Sequence, residues 1–123
     1  MKLRLRKNSV RLRLTQGDVA LFKDSGMVEE HIEFGENSRF FYRLLSDDIT
    51  TKPEARFDKD GITIIVPSSE LQDWAATERT GIEAEQASRG GVLNILIEKD
   101  FTCLEPRPSG EDEDTFPNPL QCG

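Results

Sequence analysis

The sequence predicts an α+β domain in which one β-β-α-β-β unit occurs twice in tandem. The chain opens with two segments, "KLRLR" and "VRLRL", in which apolar and charged residues alternate strictly, as in half-buried strands. The same order of strands, turns and one short helix recurs in the second half. A constant offset of 52 residues, which pairs Val10 with Ile62, aligns the two halves without a gap.

The first repeat is predicted over residues 2–46. Its first two strands are joined by a tight turn around Asn8, because asparagine tolerates positive φ. A short helix follows, with Thr15 as N-cap, Asp18 in the first turn and Gly26 as the stop signal. The segments "MVEEHIEF" and "RFFYRLL", separated by "GENS", then read as a second strand pair.

The second repeat is predicted over residues 54–98. Strands "EARF" and "ITIIV" flank the turn "DKDG", and strands "GIEAEQ" and "VLNILIEKDF" flank "SRGG". The helix between these pairs carries Ser69 and Gln72 in the spacing of a capping box. The offset pairs Phe22 with Trp74, and we expect both side chains to anchor their helices on the sheet.

Residues 1–101 are therefore predicted to form a single domain, with an acidic, proline-rich tail at 102–123. The eight strands are expected to form one antiparallel sheet with the two helices on one face. That sheet either stays open, with its polar face exposed to solvent, or closes into a barrel. The tail composition buries too little apolar surface to offset its ordering entropy, and Phe116 and Leu120 are its candidate docking residues.

Charge and composition exclude several classes of function. A formal net charge of −7 argues against general nucleic-acid binding. The opening segment lacks the apolar core of a signal peptide, and no stretch approaches the ~20 apolar residues of a membrane helix. Cys103 and Cys122 lack a C-x-x-C partner, so we expect reduced thiols and a cytoplasmic protein without membrane contact.

Alternation also places charged residues on one face of the predicted sheet. Five arginines form a candidate anion-binding face: Arg4, Arg6, Arg11, Arg13 and Arg56. Four acids and a histidine form a weak candidate metal site: Glu29, His31, Glu33, Glu83 and Glu85. In an open sheet these residues are solvated cross-strand ion pairs. In a closed barrel they line a polar channel that suits a polyphosphate, because guanidinium groups match phosphate geometry.

Two resemblances bear on function. The segments "KLRLRKNSVRLRLTQ", "EKDFTCLEPR" and "FPNP" resemble a family of small bacterial proteins of unknown function over nearly the whole chain, which implies no activity. The duplicated layout is similar to the CYTH, or triphosphate tunnel, fold, whose members cleave triphosphates with a carboxylate-held metal. Their E-x-E-x-K signature is replaced here by "KLRLRK", so the resemblance implies shared architecture more than shared catalysis.

The sequence alone leaves the function open. The main hypothesis is a non-enzymatic cytosolic domain that binds a ligand or partner and needs no cofactor. The alternative is a tunnel-type protein that binds polyphosphate or nucleotide, or hydrolyses triphosphate, with Mg²⁺. Unpaired edge strands would also allow a homodimer. No P-loop or nucleophile elbow occurs in the sequence, and no catalytic residue is identified.

Overall fold

A computed structural model describes residues 1–101, which contain eight strands and two helices in the predicted order. The elements are β1 (Lys2–Arg6), β2 (Ser9–Leu14), α1 (Gln16–Ser25), β3 (Met27–Gly35), β4 (Ser38–Asp47), β5 (Glu54–Asp58), β6 (Gly61–Pro67), α2 (Ser68–Ala76), β7 (Gly81–Ser88) and β8 (Gly91–Lys99). Neither helix in this described part is long and apolar enough to cross a membrane. The predicted tail, with both cysteines and both candidate docking residues, lies outside the described residues.

Local signals set the first helix as expected. The Thr15 hydroxyl accepts a hydrogen bond from the Asp18 amide, and the Asp18 carboxylate accepts one from the Thr15 amide, which completes a capping box. Gly26 ends the helix with φ of 78°, a conformation that favours glycine. The capping box predicted for the second helix is wrong. That helix follows Pro67, whose side chain has no hydrogen-bonding group to offer.

The first hairpin turn differs from its prediction in one detail. Lys7, rather than Asn8, adopts positive φ, at 50°. Asn8 instead ties the turn to β8, because its side-chain amide donates to the Val92 carbonyl and its own carbonyl accepts from the Asn94 amide at 2.9 Å. The turn is therefore held by the second unit.

The eight strands form two four-stranded sheets, each built from both units. Sheet A has the order β1-β2-β8-β7, and sheet B has the order β3-β4-β6-β5. The central pairs, β2 with β8 and β4 with β6, are parallel, and all hairpin pairs are antiparallel. The α+β class and the two β-β-α-β-β units are confirmed, whereas one antiparallel sheet or closed barrel is wrong. Two sheets bury both apolar faces against each other, which a single open sheet cannot do.

The two units occupy corresponding places in the two sheets, because exchanging one unit for the other converts the strand order of sheet A into that of sheet B. The offset of 52 holds through the helices, and Phe22 and Trp74 are both completely buried. Beyond the helices the offset changes, because more residues connect α2 to β7 and β3 contains a bulge between Glu33 and Gly35. Leu44, aligned with Leu96 by the constant offset, therefore occupies the place of Ile97.

The interior is one apolar core shared by both sheets and both helices. Its buried side chains are Val10, Leu12, Leu14, Phe22, Val28, Leu44, Ile62, Ile64, Val66, Leu71, Trp74, Ile82, Ile95 and Ile97. The helices contact each other and pack into this core, so they do not lie together on one face of a single sheet. Because apolar side chains fill the space between the sheets, residues 1–101 enclose no polar channel.

A side-chain amide joins the two sheets where β5 and β7 approach each other. The Gln86 amide donates to the Ala55 carbonyl at 2.9 Å, and its oxygen accepts from the Ala55 amide at 2.8 Å. Gln86 thus satisfies both backbone groups of Ala55, as a neighbouring strand would.

A cluster around the amino terminus ties β1 to α1, β3 and β4. The Met1 ammonium lies 2.7 Å from carboxylate oxygens of both Asp18 and Glu30, and the Tyr42 hydroxyl donates to the Met1 carbonyl at 3.1 Å. Burial by itself lowers the pKa of this amino group, but hydrogen bonds and charge attraction from Asp18 and Glu30 raise it above its ordinary value.

Trp74 tests the core directly. Trp74→Ala should destabilise the domain by ~3–5 kcal/mol, because it removes the largest fully buried side chain and leaves a cavity. Denaturant melts measure the loss, and Leu21→Ala, at a helix position that is 53% exposed, is the matched control. A loss below ~1 kcal/mol for Trp74→Ala would contradict the described packing.

Gln86 tests the junction between the sheets. Gln86→Met keeps the side-chain length but leaves the Ala55 backbone groups without these partners, so we expect a loss of ~1–3 kcal/mol. Hydrogen exchange of the Ala55 amide should accelerate in the same variant. Glu85→Gln, at the neighbouring position on the outer face, is the control, and equal effects of the two substitutions would count against the junction.

The amino-terminal cluster predicts a specific loss of stability at alkaline pH. A group whose pKa is raised by folding stabilises the fold fully below its ordinary value, about 8 here, and this contribution disappears as pH rises through the raised value. Melts at pH 7 and about 9.5 should therefore show a larger loss for the wild type than for Glu30→Gln. Identical losses in the two proteins would contradict the coupling.

Candidate functional site

The outer side of sheet A carries a concentrated group of cations. In the β1–β2 hairpin, Arg4 lies directly opposite Arg11, Lys2 lies opposite Arg13, and Arg6 begins the turn. Leu3 and Leu12, which alternate with these residues, pack into the core, so the five side chains share the outer face, as alternation predicts. We call this set, Lys2, Arg4, Arg6, Arg11 and Arg13, the basic face.

The other half of the same outer surface is acidic. The parallel pairing of β2 with β8 places Glu98 beside Arg13 and Leu96 beside Arg11. On the far strand, β7, Glu83 lies opposite Leu96 and Glu85 lies opposite Asn94. Charge is therefore divided across sheet A, with cations on β1 and β2 and carboxylates on β7 and β8.

Two carboxylates compensate part of the basic face. The Arg13 guanidinium donates to Glu98 at 2.7 Å, and the Arg11 guanidinium lies 3.3 Å from the same oxygen. Lys2 lies 3.4 Å from Asp100. Alternation assigns Glu98 to this face but does not reveal that β8 is the neighbour of β2, so these pairings with Glu98 and Asp100 were not predicted.

A shallow pocket of about 270 Å³ lies within the basic face. We call it the arginine pocket; it is lined by Arg4, Arg6, Ser9, Val10, Arg11, Asn94 and Leu96. Guanidinium, hydroxyl and amide groups that surround a small concavity can together donate several charge-assisted hydrogen bonds to one anion. The pocket therefore has the chemistry of an oxyanion site.

The candidate metal residues of β3 lie on the other sheet and are engaged in ion pairs. On the outer face of sheet B, Arg43 donates to Glu29 at 2.6 Å and Arg39 donates to Glu33 at 2.9 Å. His31 is half-exposed, 3.9 Å from Glu33. These pairs follow from the β3–β4 register, which sets each acid directly opposite its arginine.

The remaining candidates are also divided between the sheets. Arg56 lies on β5 of sheet B, where it donates to Glu54 at 3.0 Å, so it is separated from the other four arginines. Glu83 and Glu85 lie on sheet A, apart from the acids of β3. Within residues 1–101, no group of three or more histidine, cysteine or acidic side chains is arranged to hold a metal ion.

Comparison with known proteins yields one match. The model of a family described as being of unknown function matches residues 1–120. No curated protein and no solved structure matches the chain. The predicted membership of an uncharacterised family is confirmed, and the similarity to the triphosphate tunnel fold stays a prediction.

Proposed function

We propose that this chain, which belongs to the family of unknown function DUF7009, is a non-enzymatic cytosolic domain that binds a multiply charged anion on the basic face of sheet A. The observation that carries the proposal is the convergence of Arg4, Arg6 and Arg11 on the arginine pocket. A protein with a net charge of −7 concentrates these cations on one hairpin, so their placement is selective.

The register of the hairpin supports a bound anion. Like charges directly opposite each other destabilise an antiparallel pair, and Arg4 lies directly opposite Arg11. An anion that contacts both guanidinium groups at once would lower this repulsion further, in addition to the contacts that the two side chains already make.

The size and chemistry of the pocket indicate the class of ligand. At about 270 Å³ it lies just below the usual range for sites that enclose a drug-sized molecule, about 300–1,000 Å³. A phosphate or carboxylate group fits such a site, and guanidinium forks match both geometries. We therefore favour a polyphosphate or an acidic polypeptide segment, whose further charges would contact the rest of the basic face.

We do not extend the proposal to triphosphate hydrolysis. A tunnel enzyme needs arginines and metal-binding carboxylates around one polar channel, whereas here the arginines face outward and apolar side chains fill the interior. Glu98, which lies 3.3 Å from the Arg11 guanidinium, already accepts a hydrogen bond from Arg13.

Calorimetric titration with tripolyphosphate at low ionic strength tests the proposal. The double variant Arg4→Gln, Arg6→Gln should bind at least tenfold more weakly, because each charge-assisted hydrogen bond contributes ~1.5–3 kcal/mol. The double variant Arg39→Gln, Arg43→Gln removes the same charge from sheet B, where these arginines pair with Glu33 and Glu29, and should leave binding unchanged. Added salt should weaken binding to the wild type.

Residues 111–114 are themselves anionic, so the titration is repeated on a full-length chain with Glu111→Gln, Asp112→Asn, Glu113→Gln and Asp114→Asn. Absence of both heat and thermal shift in the wild type and in this neutralised chain would overturn the proposal. Equal weakening by the double control at Arg39 and Arg43 would do the same, since it would show that only net charge matters.

A further inference from the structure

An apolar cleft opens between the two sheets at the end where the β1–β2 and β5–β6 turns lie. It measures about 410 Å³ and is lined mainly by Leu5, Val10, Phe57, Ile62 and Leu93. Lys7 and Arg56 also line it and add positive charge. The apolar faces of the two sheets thus leave a gap at this end.

Two large apolar side chains are left exposed at the cleft. Leu5 is 56% exposed and Phe57 is 79% exposed, although both belong to the inward faces of their sheets. Leu5 and Phe57 occupy corresponding positions in the two units, and each lies on one side of the cleft. Adjacent exposed apolar residues of this size mark a contact surface.

The cleft and the arginine pocket lie on opposite sides of the same hairpin. Ser9 and Val10 line both, and the Lys7 turn separates them. A segment that passes over this turn would place its charges on the outer side and an apolar side chain on the inner side. The required ligand therefore has anionic groups next to a large apolar group.

We infer that residues 111–116 of this chain, "EDEDTF", occupy this composite surface, with the acidic run on the basic face and Phe116 in the cleft beside Phe57. The inference rests on the proposed function, because it uses the same basic face. The order of groups matches, since four consecutive carboxylates precede one aromatic ring. Phe116 follows Asp114 by two residues, a span of up to ~7 Å, which is the scale needed to pass over a hairpin.

The connection to the domain is long enough. Asp100 lies 3.4 Å from Lys2, and its amide donates to the Leu14 carbonyl, so the chain leaves the described domain beside the basic face. The nine residues 102–110 span up to ~30 Å, whereas Lys2 and Arg6 are four strand steps, or ~13 Å, apart. A tether of this length raises the local concentration of the acidic run to the millimolar range.

Docking within one chain would make the segment a competitor of any external anion. An added polyphosphate must then displace residues 111–114 before it reaches the arginine pocket. The segment would thereby set the affinity of the site, and salt would weaken its docking.

Paramagnetic relaxation enhancement on the full-length chain tests the inference. The Cys103→Ser variant carries a nitroxide on Cys122, six residues beyond Phe116. We expect selective broadening of the amide signals of Leu5, Lys7 and Phe57, and its disappearance when the nitroxide is reduced. About 0.5 M salt, the neutralised acidic run, or Phe116→Ala should each diminish the broadening at least severalfold, whereas Arg107→Gln should not.

Three outcomes would overturn the inference. One is broadening confined to the groove of about 510 Å³ near the helices, which Val19, Ala20 and Ala75 line. Another is broadening that the neutralised run leaves unchanged. The third is broadening transferred from a labelled chain to an isotope-enriched unlabelled chain, which would assign the surface to a second copy.

Tripolyphosphate binding separates this inference from the proposed function. If the segment docks, the neutralised chain should bind tripolyphosphate severalfold more tightly than the wild type. Equal binding to both, without selective broadening, would overturn the docking and leave the anion site standing. Selective broadening without tripolyphosphate binding to either chain would instead overturn the polyphosphate site while the acidic segment remains its occupant.

Discussion

The parallel pairing of central strands is the constraint on which the rest of the structure depends. In each sheet it joins strands from different units, and it sets Leu12 beside Ile97 and Leu44 beside Ile64 at the middle of the core. Neither unit contains a complete sheet, so neither can bury its apolar face alone. The β2–β8 contacts join residues about 85 positions apart, which predicts that closure of sheet A is a late and slow event in folding.

The same pairing creates the candidate site. An isolated β1–β2 hairpin would set Arg4 opposite Arg11 without a carboxylate beside them, an arrangement that destabilises the pair. Docking of β8 brings Glu98 next to Arg13 and holds the turn through Asn8. The complete basic face therefore forms only in the assembled domain. The stability of the core offsets the repulsion between its like charges.

Local patterns in the sequence were sufficient for the elements and for their faces, but not for strand neighbours. Alternation placed Arg4 outward, and the Thr15 cap set the start of α1. A period of two residues carries no information on which strand lies alongside, so Arg56 was grouped with arginines of the other sheet and the pairing of Glu98 with Arg13 was not predicted. The constant offset failed for a similar reason, since the longer connection between α2 and β7 leaves the alternation within the following strands unchanged.

The arginines on the two outer faces are compensated in different ways. On sheet B each arginine of β4 lies opposite its own acid, and Arg43 also stacks over Phe41 at 4.6 Å, so the charges are balanced pair by pair. On sheet A one carboxylate, Glu98, lies against both Arg11 and Arg13, and Arg4 lies directly opposite Arg11 across the β1–β2 pair. A surface balanced in pairs gains little from a bound ion, because its donors are already used in fixed geometry. Sheet A instead gathers five cations on one hairpin, and this difference between the faces is the physical reason to place the proposed anion binding on sheet A.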